Sequence, residues 1–172
     1  MNWNEFEKKY DFENVVFELT KKSLIILGQS KEFDKTEFGA FAFTCKYGGS
    51  ISLSFDADTK VNVRKEGYYP PDWTNEGMEY DLPEIGLIWK ERYKPIEDSL
   101  SEIIEETDDY DFIDLFVEEF LNSLRRVIIK LENQKEFKNI KTTNNFWTLV
   151  TQVDADTDSE EELLENLRNK RD

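Results

Sequence analysis

Asp154, Asp156 and Asp158 stand at alternate positions, and Glu165 follows seven residues after the last of them. That spacing matches the calcium loop Asp-x-Asp/Asn-x-Asp/Asn-Gly-x5-Glu at every position but one, where Ser159 replaces the glycine. An EF-hand loop lies between two helices, and its glycine takes a positive φ in a sharp turn. Here the preceding residues Asn145–Val153 (NFWTLVTQV) alternate like a strand, and no second loop exists to pair with this one. The segment reads instead as a helix start, with Asp158 or Ser159 as cap and Glu160, Glu161 and Glu162 favouring the positive end of the dipole. The expectation is therefore no metal: Asp154 closes a strand, the last helix begins between Asp158 and Glu160, and Glu165 points to solvent.

Other carboxylates pair up at short spacing without defining a reaction. Asp56 and Asp58 fit the head of a β-turn. Glu105-Glu106 and Glu118-Glu119 resemble the acid pair of a glycosidase only in type, since such an enzyme needs two acids held across a cleft at a set separation. The chain has no histidine and one cysteine, Cys45. Ser-His-Asp and Cys-His nucleophile systems are thus excluded, as are zinc sites that rely on histidine or several cysteines. No catalytic residue and no cofactor are expected.

The distribution of charge says more than any motif. The formal net charge is −16. Residues 1–71 hold 11 acids and 10 bases, and residues 120–172 hold 10 acids and nine bases. Residues 72–119 hold 17 acids against three bases, a balance of −14. Within that segment 97-EDSLSEIIEETDDYDFID-114 carries nine acids and no base. Asp98, Glu102, Glu105 and Glu106 fall on one helical face, where like charges three or four residues apart cost a few tenths of a kcal/mol per pair. Asp108, Asp109 and Asp111 continue the run. A field of this sign repels nucleic acid and anionic membranes and attracts basic proteins over about 8 Å at physiological salt.

The elements that must carry these residues form an α+β pattern. At 172 residues, with 38% apolar and 14% aromatic content, the chain suits one domain, 1–172, with a real core. Residues 4–28 read as a helix stopped by Gly28. Phe38–Cys45 and Ile51–Phe55 read as strands joined at Tyr47-Gly48-Gly49, the second with one apolar and one serine face, and Val61 and Val63 open a third. Helical spacing returns at 84–106, broken near Pro95, and at 111–132. There Phe112, Leu115, Phe116, Phe120, Leu124, Val127, Ile128 and Leu131 make an apolar stripe. With the 145–153 strand and a last helix at 160–170, the expected fold is an antiparallel sheet of about four strands packed against several helices. No apolar run approaches the roughly 18 residues that cross a bilayer. The polar N-terminus lacks the form of a signal peptide, and a cytoplasmic protein is expected.

The FAF strand (Phe41-Ala42-Phe43), the loop from Tyr68-Tyr69 to Asp72-Trp73 and the tail from Leu131 to Phe137, a strand and a last helix together give a resemblance. The chain resembles the bacterial domain of unknown function 4303 family, with Tyr69, Asp72 and Trp73 as the best-matching positions. The family brings no activity to transfer. Similar small acidic proteins occur beside bacterial polymorphic toxins as immunity proteins, which the resemblance implies as a role here. Asp72 bonding its own backbone within a ring-packed loop is the structural alternative. Three functions are open at this point. The first is an immunity protein that binds a basic toxin domain, a nuclease being the best fit in charge. The second is a housekeeping or scaffold protein whose charge serves solubility, and the third a carboxylate enzyme.

Overall fold

The computed structural model describes residues 1–46, 48–57, 73–152 and 157–170. The chain begins with two helices, α1 (Trp3–Tyr10) and α2 (Phe12–Gln29), where one had been expected. Asp11 separates them in the left-handed region (φ 49°), so the apolar spacing carries on through a bend. The break lets Trp3, Phe6 and Phe12 meet as rings, with Trp3–Phe12 centroids 5.2 Å apart. Gly28 does not end the helix but lies within it. A Cβ there would come within 1.8 Å of the Asn139 carbonyl oxygen, so glycine lets the backbones approach.

Strands β1 (Phe38–Cys45) and β2 (Ile51–Asp56) form the expected hairpin, with Phe41 opposite Phe55 and Phe43 opposite Leu53. Gly48 (φ 92°) and Gly49 (φ 86°) supply the positive φ of its turn. The sheet corrects the expectation of about four antiparallel strands. Among the described residues it has three strands in the order β2-β1-β3, and β3 (Thr142–Gln152) lies parallel to β1. Val61 and Val63 lie outside the described residues. Both faces of β1 are covered. Phe41, Phe43 and Cys45 face the main core, while Ala40 and Ala42 meet Trp73, Trp147 and Leu149 on the other side. The serine face of β2 is therefore not left to solvent as a half-covered sheet would leave it. Ser54 is buried and donates to the Glu76 carbonyl at 2.6 Å, so the 2.8 Å bond with Thr44 has Thr44 as donor.

Helices α3 (Met78–Asp81), α4 (Pro83–Arg92) and α5 (Lys94–Glu105) follow, α4 and α5 meeting at Tyr93 just before Pro95. The long α6 (Tyr110–Asn133) packs against α2 and β3, and a 3-10 turn (Glu136–Asn139) leads into β3. The final helix α7 (Thr157–Asn169) starts one residue earlier than the sequence predicted. Leu115 departs from the apolar stripe read along α6: it is 65% exposed, whereas Phe116, Phe120, Leu124, Val127, Ile128 and Leu131 are buried. No helix among the described residues is long and apolar enough to cross a membrane.

Candidate functional site: an acidic corner at α5 and α6

The acidic run maps onto two helices and the short turn that joins them. Pro95 and Lys94 open α5, and its apolar residues Ile96, Leu100 and Ile104 point inward. Leu100 and Ile104 line a small cavity together with Phe116, Val117 and Phe120 of α6 and with Gly48 and Gly49 of the β1–β2 turn. α1 braces the corner: Trp3 packs edge-on to Phe116 at 5.2 Å, and the Tyr10 hydroxyl donates to Ser99 at 2.7 Å. With the apolar positions so used, the acids face outward. Asp98, Glu102, Glu105, Glu106, Asp108, Asp109 and Asp111 are all exposed, as are Asp114, Glu118 and Glu119.

Local structure accounts for some of these acids and not for others. Asp109 caps α6 by accepting the Phe112 N–H at 3.1 Å, and Asp111 lies in its first turn, where the helix dipole favours a negative charge. Asp98 pairs with Lys94 one turn back. Glu102, Glu105 and Glu106 stand at the C-terminal end of α5, whose last turn holds no base. A carboxylate there opposes the dipole at a cost of about 0.3–1 kcal/mol each. Among the described residues none of the three has an ion-pair partner, nor do Asp108, Asp111, Asp114, Glu118 or Glu119.

Glu79 belongs to the same segment by sequence but turns inward. Its Oε2 accepts the Leu53 N–H at 3.0 Å, and burial raises its carboxyl above the ordinary value despite that bond. It fixes α3 to the edge of β2 and adds nothing to the outer field. Beside the small α5–α6 cavity, a groove of about 310 Å³ is lined by Asn2, Trp3, Asn4, Phe112, Leu115, Phe116 and Glu119, and another of about 190 Å³ lies under Gly28 and Phe38. None of the three is lined by two carboxylates.

The remaining sequence candidates fall apart in space or out of view. Tyr69, Asp72, Asp58, Asp154 and Asp156 lie outside the described residues. Trp73 is 4% exposed and packs edge-on to Trp147 at 5.8 Å, which makes it core. Asp56 is the buried last residue of β2, and Thr74 comes back to it, Oγ1 to Oδ1 at 3.4 Å; the turn expected to follow it runs outside the described residues. Glu165 lies on α7 with its side chain 44% exposed, and pairs there with Arg168. No group of three or more metal-binding side chains is gathered among the described residues. The groove beside Trp3 had no signal in the sequence, because its walls are more than a hundred residues apart.

No family model matches this chain, and no curated protein or solved structure matches it.

Proposed function

We propose that this chain is a cytoplasmic binding protein that uses the acidic corner of α5 and α6 to cover a basic surface on a protein partner. The observation that carries this reading is the bare set Glu102, Glu105 and Glu106. They oppose the dipole of the helix that bears them and have no partner among the described residues, so the fold gains nothing from their charge. A partner rich in lysine and arginine would gain from it. Carboxylates concentrated on one corner steer such a partner, raising association rates toward about 10⁸ M⁻¹s⁻¹ at low salt.

Within that class, an immunity-type inhibitor of a bacterial toxin fits best, and a nuclease domain fits best among toxins. A nuclease must present cations to phosphates, and an outward carboxylate array imitates the charge of its substrate. The resemblance to the domain of unknown function 4303 family supports the same role. The test is stopped-flow binding to the C-terminal toxin domain of a large secreted protein encoded beside this chain. Association should slow by tenfold or more when Glu102, Glu105, Glu106 and Asp108 are changed to lysine, and its salt dependence should flatten. Equal rates at low and high salt for the unaltered chain would refute the proposal.

A further inference from the structure

We infer that the groove between the start of α1 and the first half of α6 anchors one apolar or aromatic side chain of the partner, flanked there by lysines or arginines. The inference rests on the acidic-surface reading above and says where on that surface contact is made. The groove's floor is fixed. Trp3 is held by its indole N–H, which donates to Ser123 Oγ at 3.0 Å, by stacking on Phe6 and by an edge-on contact with Phe116. Phe112 stacks on Phe116 at 5.5 Å and is only partly buried, and Leu115 forms a wall with 65% of its surface exposed. A rigid floor with an unfinished apolar wall accepts a side chain without reorganising, which keeps the cost of binding low.

The surroundings select the kind of partner. On a helix the neighbours of position 115 are three and four residues away, and here they are Phe112, which lines the groove with it, and Asp111, Glu118 and Glu119, with Asp114 adjacent; the four acids are all exposed. Leu115 is therefore the outer edge of an apolar groove, flanked by four carboxylates. A second copy of this chain would bring the same segment, 17 acids against three bases, to the interface and be repelled. A basic segment with one large apolar residue satisfies both the carboxylates and the groove. At about 310 Å³ the space is at the low end of ligand pockets, roughly 300–1,000 Å³, which suits a single tryptophan, phenylalanine or leucine side chain. Buried aromatic anchors within a polar rim are the usual source of interface affinity.

The test uses two lysine-rich peptides, one with a central tryptophan and one with alanine in its place, titrated against the whole chain by fluorescence anisotropy. The tryptophan peptide should bind about tenfold more tightly or better. Leu115→Glu should abolish that preference while leaving the alanine peptide bound as well or more tightly, since it adds a carboxylate. Leu115→Asn should abolish it without altering charge, and at an exposed site both variants should keep the parent's circular dichroism. Equal binding of the two peptides to the unaltered chain would overturn the inference. So would a preference that survives both substitutions, or a dimer in sedimentation that Leu115→Glu dissolves. If the alanine peptide is also indifferent to salt and to Glu102→Lys/Glu105→Lys/Glu106→Lys, the acidic-surface reading fails as well; if it responds to both, only the anchor is lost.

Discussion

The two halves of α6 treat charge in opposite ways. In the first half Asp111, Asp114, Glu118 and Glu119 are exposed and have no ion-pair partner among the described residues. In the second half each charge is held by another element. Arg125 reaches Glu160 of α7 at 2.7 Å with both side chains nearly buried, and Arg126 reaches Glu13 of α2 at 2.6 Å. Glu132 joins Arg168 of α7 and Thr148 of β3, and Lys130 lies 4.0 Å over the Phe17 ring. Charge in the second half locates helices relative to one another. Apart from Asp111, whose charge the helix dipole favours, charge in the first half locates nothing among the described residues, and stability is not what it serves.

The largest effect should come from breaking the paired half. Arg125→Met would leave Glu160 at the α6–α7 contact without its cation, and stranding one member of a buried pair costs about 3–5 kcal/mol. The double variant Arg125→Met/Glu160→Leu should recover most of that loss, because the uncompensated charge goes with its partner. Urea denaturation of the two variants measures both values. A similar loss on mutating Glu118 or Glu119 would erase the contrast between the halves.

The bare half should respond with the opposite sign. Glu102→Lys, Glu105→Lys and Glu106→Lys each replace an unfavourable charge at the C-terminus of α5 with a favourable one. Each should raise stability by about 0.3–1 kcal/mol at low salt, with the gain shrinking as salt is added. Thermal melts at two ionic strengths would show it. A triple variant less stable than its parent would mean that these acids have a structural task after all.

The contrast was half legible in the sequence. Counting charge by segment found the bare acids, since exposure follows from the helical spacing of Ile96, Leu100 and Ile104 on the opposite face. Alternation and the Gly48-Gly49 turn likewise found the β1–β2 hairpin. What could not be read was every relation across long separations. The parallel pairing of β1 with β3 joins Phe43 to Val150, and the groove joins Trp3 to Leu115. Local patterns carry no information on such partners. Local signals also misled, at Asp11, where the apolar spacing runs through a left-handed residue, and at Leu115, whose spacing fits the core stripe but which is 65% exposed.

A smaller effect separates Glu79 from the acids it accompanies in sequence. Burial holds its carboxyl above the ordinary value, so the folded state keeps the proton to higher pH than the unfolded state does. The stabilising contribution is complete below the unfolded value, about 4.3, and is lost as pH rises through the folded one. Glu79→Gln keeps an oxygen for the Leu53 N–H and cannot ionise. Relative to the parent it should therefore gain stability as pH rises from about 4.3 to the raised value of the folded state, and no more above it, as followed by denaturation at several pH values. A parent and variant that track each other across that range would show that the carboxyl is solvated.

The smallest expected effect is none, and it concerns calcium. Asp158 and Glu165 both lie on α7, seven residues apart, which at 1.5 Å per residue is about 10 Å along the axis. A calcium ion needs its ligands at about 2.3–2.6 Å, so both could reach one ion only if the first two turns of α7 unwound. Unwinding would also free Arg168, which bonds Glu165, Glu132 and Thr148 at once and so fastens α7 to α6 and β3. It would further draw Glu160 away from Arg125. Calcium would have to offset both losses with a loop whose sixth position is Ser159 and not glycine. Calorimetric titration should accordingly give no heat in the micromolar range, and calcium should leave the melting temperature unchanged. A one-site isotherm abolished by Glu165→Gln would show that the charge of α7 serves a ligand and not the fold, and the division between the two halves of the molecule would have to be redrawn.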